Sequence, residues 1–211
     1  MKKIVFLFAV QLCVAQFTFA QKNEDFTEKV NFGLKAGVNL SNVYDEKGEE
    51  FRADSKLGFA VGAFVDIPVG KFIGFQPEVL LSQKGFQATG RILGSSYSFT
   101  RTTTFLDFPL LFAIKPVDFI TILAGPQYSY LIKQKDVFTN AINTIEQETA
   151  FSNDNIRKNT LCFTGGVDVN ISHIVLGARI GWDLLNNNGN GTSETPRYKN
   201  MWYQASIGFR I

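Results

Sequence analysis

The chain has 211 residues, of which 45% are hydrophobic, and a formal net charge of only +2. This length allows one domain or two small ones, and the composition argues against a disordered chain and against a nucleic-acid-binding protein, which would need a basic patch. Two cysteines and one histidine are too few for a zinc site or a disulfide scaffold, so we expect no metal and no cofactor.

The first twenty residues have the features of a secretory signal peptide. Lys2 and Lys3 precede an apolar run over residues 4–10, and Thr18 and Ala20 supply small residues before a cleavage point at Gln21. The apolar run is too short to cross a membrane as a helix. We therefore predict a signal peptide over residues 1–20, a polar lead-in over 21–31 and a folded domain over 32–211.

Eight segments of the folded domain alternate between large apolar residues and small or polar ones. This period of two predicts β-strands, and no helical period is found after the signal peptide. Pro77, Pro109 and Pro126 fall inside three of the segments. Because proline cannot donate to a ladder, we expect a bulge or a local break at each of them. The predicted strands are residues 32–41, 56–67, 72–83, 104–115, 119–131, 161–171, 174–184 and 201–211.

The connections between the predicted strands differ in length at the two ends. Long polar connections follow the odd-numbered strands and short turns follow the even-numbered ones. The short turns are residues 68–71, 115–118 and 172–173, and the long connections are residues 42–55, roughly 84–103, 133–159 and 186–199. This asymmetry is typical of outer-membrane barrels, and an even number of strands returns both ends of the domain to the short-turn side.

The two faces of the strands decide the class of barrel. In a soluble barrel the apolar face points inward, whereas in a membrane barrel it contacts lipid. The second face combines glycines with charges of both signs, which suits a tight interior in which buried charges pair. We therefore predict an all-β fold, an eight-stranded antiparallel up-and-down transmembrane β-barrel. The predicted interior charge network consists of Lys35, Glu78, Asp107, Asp168, Arg179, Asp183 and Arg210. The predicted lipid-facing side chains are Phe59, Val61, Leu106, Phe108, Leu110, Phe112, Val167, Val169, Leu176, Ile180, Ile207 and Phe209.

Several stretches in this order resemble one known family. They are "FGLKAGVNLSNV", "GFAVGAFVDIPVGKFIGFQPEVLLSQKGF", "FLDFPLLFAIKP", "ILAGPQYSYLI" and the final "YQASIGFRI". The chain resembles the outer-membrane β-barrel domain of the PorT-like "porin family" proteins that are common in Bacteroidota. The resemblance implies a barrel in a bacterial outer membrane, with the lead-in 21–31 in the periplasm, and it supplies no catalytic residues. A few members of that family take part in protein secretion across the outer membrane.

The residues give little support to an enzyme. The single histidine, His173, lies in a predicted short turn, and no serine occupies a nucleophile-elbow motif. An eight-stranded barrel is just wide enough for its own side chains, so we expect a structural or interaction role, or at most a narrow channel. The expected partners are outer-membrane lipid and proteins that contact the external loops, and the expected state is a monomer. Two alternatives stay open: a subunit of a protein-secretion machine, and a soluble periplasmic barrel that binds a small apolar ligand.

Overall fold

Antiparallel strands make up most of the chain that the computed structural model describes, which is residues 29–44, 53–92, 95–140, 144–149, 157–187 and 198–211. The predicted signal peptide over 1–20 lies outside these residues, as do parts of the lead-in 21–31 and of all four long connections. None of the described residues form a helix that is long and apolar enough to cross a membrane. The strands are β1 (Asn31–Tyr44), β2 (Ala53–Pro68), β3 (Ile73–Ile92), β4 (Ser95–Val117), β5 (Ile120–Asn140), β6 (Thr144–Thr149), β7 (Asn159–Ile171), β8 (Ile174–Asp183) and β9 (Lys199–Arg210).

Eight of these strands close into a ring. Each pairs antiparallel with the next in the order β1, β2, β3, β4, β5, β7, β8, β9. The last strand then pairs with the first, from Gly33 opposite Arg210 to Tyr44 opposite Lys199. The predicted fold, a closed eight-stranded antiparallel barrel, is therefore confirmed. Short turns connect β2 to β3, β4 to β5 and β7 to β8 at one end, which we call the short-turn end, and we call the other end the long-loop end.

Two of the predicted long loops are wrong in part, because their residues continue the strands. β3 and β4 stay paired as far as Ile92 opposite Ser95, and β5 continues to Asn140 and pairs with the additional strand β6. Residues 86–92, 95–103, 133–140 and 144–149 thus form a four-stranded sheet beyond the barrel, which we call the extended sheet. Threonines, which favour strands, are frequent there, but large apolar residues do not alternate regularly, so hydrophobic periodicity does not reveal these strands.

Each of the three strand prolines interrupts one ladder without shifting its register. The β2–β3 ladder omits the two positions at Gln76 and Pro77 and then resumes in the same register. The β3–β4 ladder has the same gap beside Pro109, and the β4–β5 ladder has it beside Pro126. Of the two expected outcomes, a bulge or a local break, the structure shows the local break, since a missing N–H removes a bond without adding a residue. The register shifts lie instead between Ser55 and Ala60 of β2, and between Thr104 and Phe105 and between Ile114 and Val117 of β4.

Side chains alternate outward and inward along the barrel strands. On β4, Leu110 is 54% exposed, whereas the next residue, Leu111, is 1% exposed. Over residues 120–130 of β5, a rise of about 3.3 Å per residue and a tilt of about 40° give a band about 25 Å high, the height of the apolar band of outer-membrane barrels. The buried side chains are mostly polar or charged. The alternative of a soluble barrel that binds an apolar ligand needs an apolar interior and is therefore wrong.

Candidate functional site

The barrel interior holds all seven of the charged side chains that the sequence analysis assigned to it. Each is at most 7% exposed. The structure adds three more buried charges at the level of the barrel: Asp66, Lys84 and Lys115. Asp66 and Lys115 lie on the polar face of predicted strands, so the alternation could have identified them. Lys84 was assigned to a loop and lies instead on the continued strand β3.

The middle of the interior is a four-membered ionic network. Lys35 Nζ lies 2.9 Å from both carboxylate oxygens of Glu78, and Gln76 donates to the same carboxylate at 2.8 Å. Arg179 makes a two-pronged contact with Asp168 at 2.5 and 2.7 Å, and its other close carboxylate, Glu78, is 3.8 Å away. These residues come from β1, β3, β7 and β8, so the network joins opposite walls of the barrel.

A separate set of polar side chains lies toward the short-turn end. Lys115 Nζ donates to Asp66 at 2.9 Å, and both side chains are 4% exposed. Arg210 donates to the side-chain oxygen of Asn170, and Asn170 donates to Thr121 at 2.9 Å. Arg210 is therefore bonded to an amide on β7, a partner that the sequence analysis did not name.

Toward the long-loop end, Lys84 closes the interior. Its ammonium lies 3.1 Å from Asp107 and 3.8 Å from the centre of the Trp202 ring. The Phe105 ring lies on another side of the ammonium, at 4.8 Å. A cation between two aromatic faces and a carboxylate is held by both ionic and cation–π attraction. Large buried side chains from β3, β4 and β9 therefore meet at this level of the interior.

Asp183, which the sequence analysis placed in the ionic network, has mainly neutral partners. The backbone N–H and the side-chain amide of Asn200 donate to it at 3.0 and 2.6 Å. The thiol of Cys162 donates to its other oxygen at 3.0 Å. Cys162 is a free, buried cysteine, as expected from its being the single cysteine after the predicted signal peptide.

The buried charges at barrel level balance. Lys35, Lys84, Lys115, Arg179 and Arg210 are the cations, and Asp66, Glu78, Asp107, Asp168 and Asp183 are the carboxylates. Buried charges are tolerated only when they are paired and hydrogen-bonded. This part of the interior is therefore a core of polar side chains whose formal charges cancel.

Glycines on the inner face make room for two interior aromatic rings. A Cβ atom on Gly33 would lie 2.3 Å from the ring of Phe64, and one on Gly181 would lie 2.3 Å from the ring of Trp202. Contacts this close are not possible, so a larger residue would displace the ring. At these two positions the glycine is therefore explained by the size of the ring beside it, whereas a Cβ on Gly37, Gly58 or Gly62 would meet a backbone carbonyl oxygen of the next strand.

A second cluster lies at the long-loop end, above the barrel. The guanidinium of Arg101 makes two hydrogen bonds to Asp136, at 2.8 and 2.7 Å, and a third to the hydroxyl of Tyr198 at 3.1 Å. Burial alone would lower the pKa of Arg101, but neighbouring Tyr198 and Asp136 outweigh it and hold that pKa above its ordinary value. The ring of Phe86 packs on Tyr198 at 5.2 Å. This cluster joins the extended sheet to Tyr198, the residue directly before β9.

The outer face carries the twelve side chains that were predicted to contact lipid. Eleven of them are exposed and Leu106 is half-buried. Large exposed apolar surfaces are rare on soluble monomers. The aromatic rings of Phe75 and Phe112 pack edge to face on this surface, at 5.7 Å between centres.

His173 lies in the short turn between β7 and β8. Its Nδ1 is 3.0 Å from the hydroxyl of Ser172, and its ring stacks on outward-facing Phe209 at 5.6 Å. Among the described residues, no three His, Cys, Asp or Glu side chains come together as a candidate metal site.

Comparison with known proteins gives one family and several similar folds. The family described as "Outer membrane protein beta-barrel domain" matches residues 19–188. No curated protein matches the chain.

Among solved structures, Ail of Yersinia pestis in complex with the heparin analogue sucrose octasulfate is similar at 13% identity, with 87% of this chain and 99% of that chain covered and a TM-score of 0.47. Neisserial surface protein A is similar at 9% identity, with 87% and 100% covered and a TM-score of 0.46. The outer membrane protein OprG from Pseudomonas aeruginosa is similar at 12% identity, with 90% and 99% covered and a TM-score of 0.41.

Proposed function

This chain belongs to the outer membrane protein beta-barrel domain family, and from its filled interior we propose that it is a closed barrel that presents an interaction surface rather than a diffusion pore. Localisation in the outer membrane follows from that membership. The barrel is the anchor, and the extended sheet with its neighbouring long connections is the surface that contacts partners. We propose a monomer without catalytic activity.

The observation that carries this proposal is the closure of the interior at three levels. The Asp66–Lys115 pair, the Lys35–Glu78 pair and the Lys84–Trp202 contact follow one another along the barrel. A pore needs a continuous path for water, and buried side chains that pair at each level would block such a path, which supports the proposal.

The orientation of the barrel in the membrane is proposed from the export signals in the sequence. A signal peptide over residues 1–20 and a periplasmic lead-in over 21–31 put the start of β1 on the periplasmic side. The short turns then face the periplasm and the extended sheet faces the outside, the usual arrangement in outer-membrane barrels. Loops and extensions on a rigid scaffold are common sites of recognition, which supports an interaction role for this end.

Electrical recording on the purified protein tests the closed interior. The barrel, shown to be folded by a mobility shift between unheated and boiled samples in SDS, is added to a planar phospholipid bilayer in symmetric salt. We expect no discrete conductance steps from the wild-type chain. Regular steps of uniform size would contradict the closed interior and would favour the narrow-channel interpretation.

The narrower PorT-like assignment is a second proposal, supported by the sequence stretches quoted above. With it comes the hypothesis of a subunit in a protein-secretion machine. Extraction of membranes with a mild detergent, followed by size-exclusion chromatography, tests this. A secretion subunit would elute in one large complex with the same partner proteins in repeated preparations, whereas a free-standing barrel would elute alone.

A further inference from the structure

A small polar cavity lies where the barrel continues into the extended sheet. On β4 its lining residues Thr103 and Phe105 lie between Arg101 and Asp107. The cavity has a volume of about 20 Å³, and eight of the ten side chains that line it are buried. Its polar lining includes Gln134 of β5, Thr160 of β7, Asp183 of β8 and Asn200 of β9.

The hydroxyl of Thr160 is buried, and none of the described residues bonds to it. The residue is 6% exposed, and its Oγ1 has no hydrogen-bond partner within the described part of the chain. A buried hydroxyl that bonds to nothing destabilises a fold, so buried polar atoms nearly always bond to the protein or to an ordered water. Because Thr160 lines the cavity, a molecule in the cavity can be the partner of this hydroxyl.

Two side-chain oxygens on the cavity wall can bond to the same molecule. Gln134 donates through its amide nitrogen to Asp136 at 3.2 Å, and Asn200 donates through its amide nitrogen to Asp183 at 2.6 Å. Each amide keeps its carbonyl oxygen as an acceptor. Thr160 thus supplies a donor, and Gln134 and Asn200 supply acceptors, which together make the three partners that a buried water typically has.

Size and charge restrict the occupant of the cavity. One water molecule needs about 10–15 Å³, so a cavity of about 20 Å³ has room for a single water and for no larger molecule. Arg157 and Asp183 both line the cavity, so an ion of either sign would lie beside a like charge, which is unfavourable at a buried site. The occupant is therefore small and neutral.

We propose that this cavity, which we call the upper cavity, binds one water molecule that accepts a hydrogen bond from Thr160 and donates to Gln134 and Asn200. The water bridges β5, β7 and β9 at the level where the barrel passes into the extended sheet. Such a bridge contributes nearly as much as direct hydrogen bonds between the strands would.

A crystal structure of the purified wild-type barrel at high resolution tests the proposal directly. We expect one density peak at hydrogen-bond distance from Thr160 Oγ1 and from the side-chain oxygens of Gln134 and Asn200. Three results would each overturn the proposal: an upper cavity without density, a Thr160 hydroxyl bonded directly to a protein group, or a peak surrounded by six or more oxygen ligands, as for a metal ion.

Unfolding in urea gives a second, independent test. Thr160→Val replaces the hydroxyl by a methyl group of similar size, and loss of a hydroxyl that bonds to water should lower the ratio of folded to unfolded protein about 5- to 30-fold. Thr164→Val is the matched control, because Thr164 is also buried on β7 and its hydroxyl donates to the backbone oxygen of Ile180 at 3.1 Å. We expect the two variants to be destabilised to a similar extent.

A Thr160→Val barrel that is as stable as the wild type, beside a destabilised Thr164→Val, would overturn the proposal, since a hydroxyl without a partner can be removed without loss. If Thr160→Val does not fold, the crystal structure of the wild type decides the question. Neither test depends on the orientation of the barrel or on the closed interior, which the bilayer recordings test separately.

Discussion

The ammonium of Lys84 lies 3.8 Å from the centre of the Trp202 ring, and this contact closes the interior toward the long-loop end. Replacing Trp202 by alanine removes the largest side chain at that level and one aromatic partner of the cation. Water can then reach Lys84 and Asp107, but the Lys35–Glu78 and Asp66–Lys115 levels below them stay closed. We predict that Trp202→Ala alone gives no conductance steps in a planar bilayer and lowers the free energy of unfolding by about 3–5 kcal/mol, the usual cost of removing a buried tryptophan.

The control for that experiment is Trp182→Ala. Trp182 is half-buried and packs on Phe163 at 5.3 Å, and by the alternation of β8 it faces away from the interior. Its removal should lower the free energy of unfolding by less than the removal of Trp202, which is 2% exposed. Conductance steps from folded Trp202→Ala would mean that the levels below the ring are open, and they would contradict closure at three levels.

The contact between Gly181 and Trp202 predicts a pair of compensating changes. A Cβ on Gly181 would lie 2.3 Å from the ring, so Gly181→Ala forces the indole to move and should lower the free energy of unfolding by about 1–3 kcal/mol. In a chain that already carries Trp202→Ala, the same change should cost much less. Urea unfolding in bicelles measures both. Gly70→Ala, where the added Cβ would meet nothing closer than 3.7 Å, is the control. If Gly181→Ala lowered the free energy of unfolding by the same amount in both backgrounds, the contact between Gly181 and Trp202 would be contradicted.

The Lys115–Asp66 pair predicts a different kind of compensation. Lys115→Met leaves a buried carboxylate without its cation and should lower the free energy of unfolding by about 3–5 kcal/mol. Lys115→Met with Asp66→Leu removes both charges and should recover most of that loss. Asp118, an exposed residue of the turn between β4 and β5, supplies the control, since Asp118→Asn should change stability by no more than about 0.5 kcal/mol. A double variant that is less stable than Lys115→Met alone would show that Asp66 has another essential partner.

The barrel strands could be predicted because lipid imposes a strict pattern on them. Every outward position in the band must be apolar, so the period of two is plain in the sequence from Phe32 to Phe209. The closing pair, β9 with β1, follows from the even number of strands. The faces of Lys35, Glu78 and Arg179 follow from the same alternation.

The extended sheet and the pairing inside the barrel could not be predicted in the same way. Beyond the lipid band the outer side of the sheet contacts water, so Thr100 and Thr102 are as acceptable outward as an apolar residue and the pattern disappears. Which side chains pair with one another in the barrel interior depends on the register of several strands. Arg210 accordingly donates to Asn170, a pairing that the spacing of the sequence does not indicate.

The Arg101–Asp136 pair predicts that the extended sheet can loosen while the barrel stays intact. The two side chains are 13% and 21% exposed, so solvent already screens part of their attraction. Arg101→Gln should destabilise the sheet locally by about 1–2 kcal/mol, which corresponds to a 5- to 30-fold faster amide exchange. Hydrogen exchange should rise over residues 95–103 and 133–140 and stay unchanged over 106–114. Thr100→Ala, on the other face of the same strand, is the control. Faster exchange throughout the barrel would show that the cluster supports the whole fold.

Leu110 and Leu111 provide the sharpest test of which face contacts lipid, because they are neighbours with exposures of 54% and 1%. The variants are made in a Cys162→Ser background, in which the serine hydroxyl still donates to Asp183. A nitroxide is attached to Leu110→Cys or to Leu111→Cys, and the labelled barrel is reconstituted in vesicles. We predict that the label at 110 collides readily with oxygen, which concentrates in lipid, and rarely with a water-soluble nickel chelate. The label at 111 should be protected from both reagents, or the variant should fail to fold because a filled interior has no room for it. A label at 110 that is more accessible to nickel than to oxygen would mean that this face contacts water, and a lipid-facing outer wall would then be wrong.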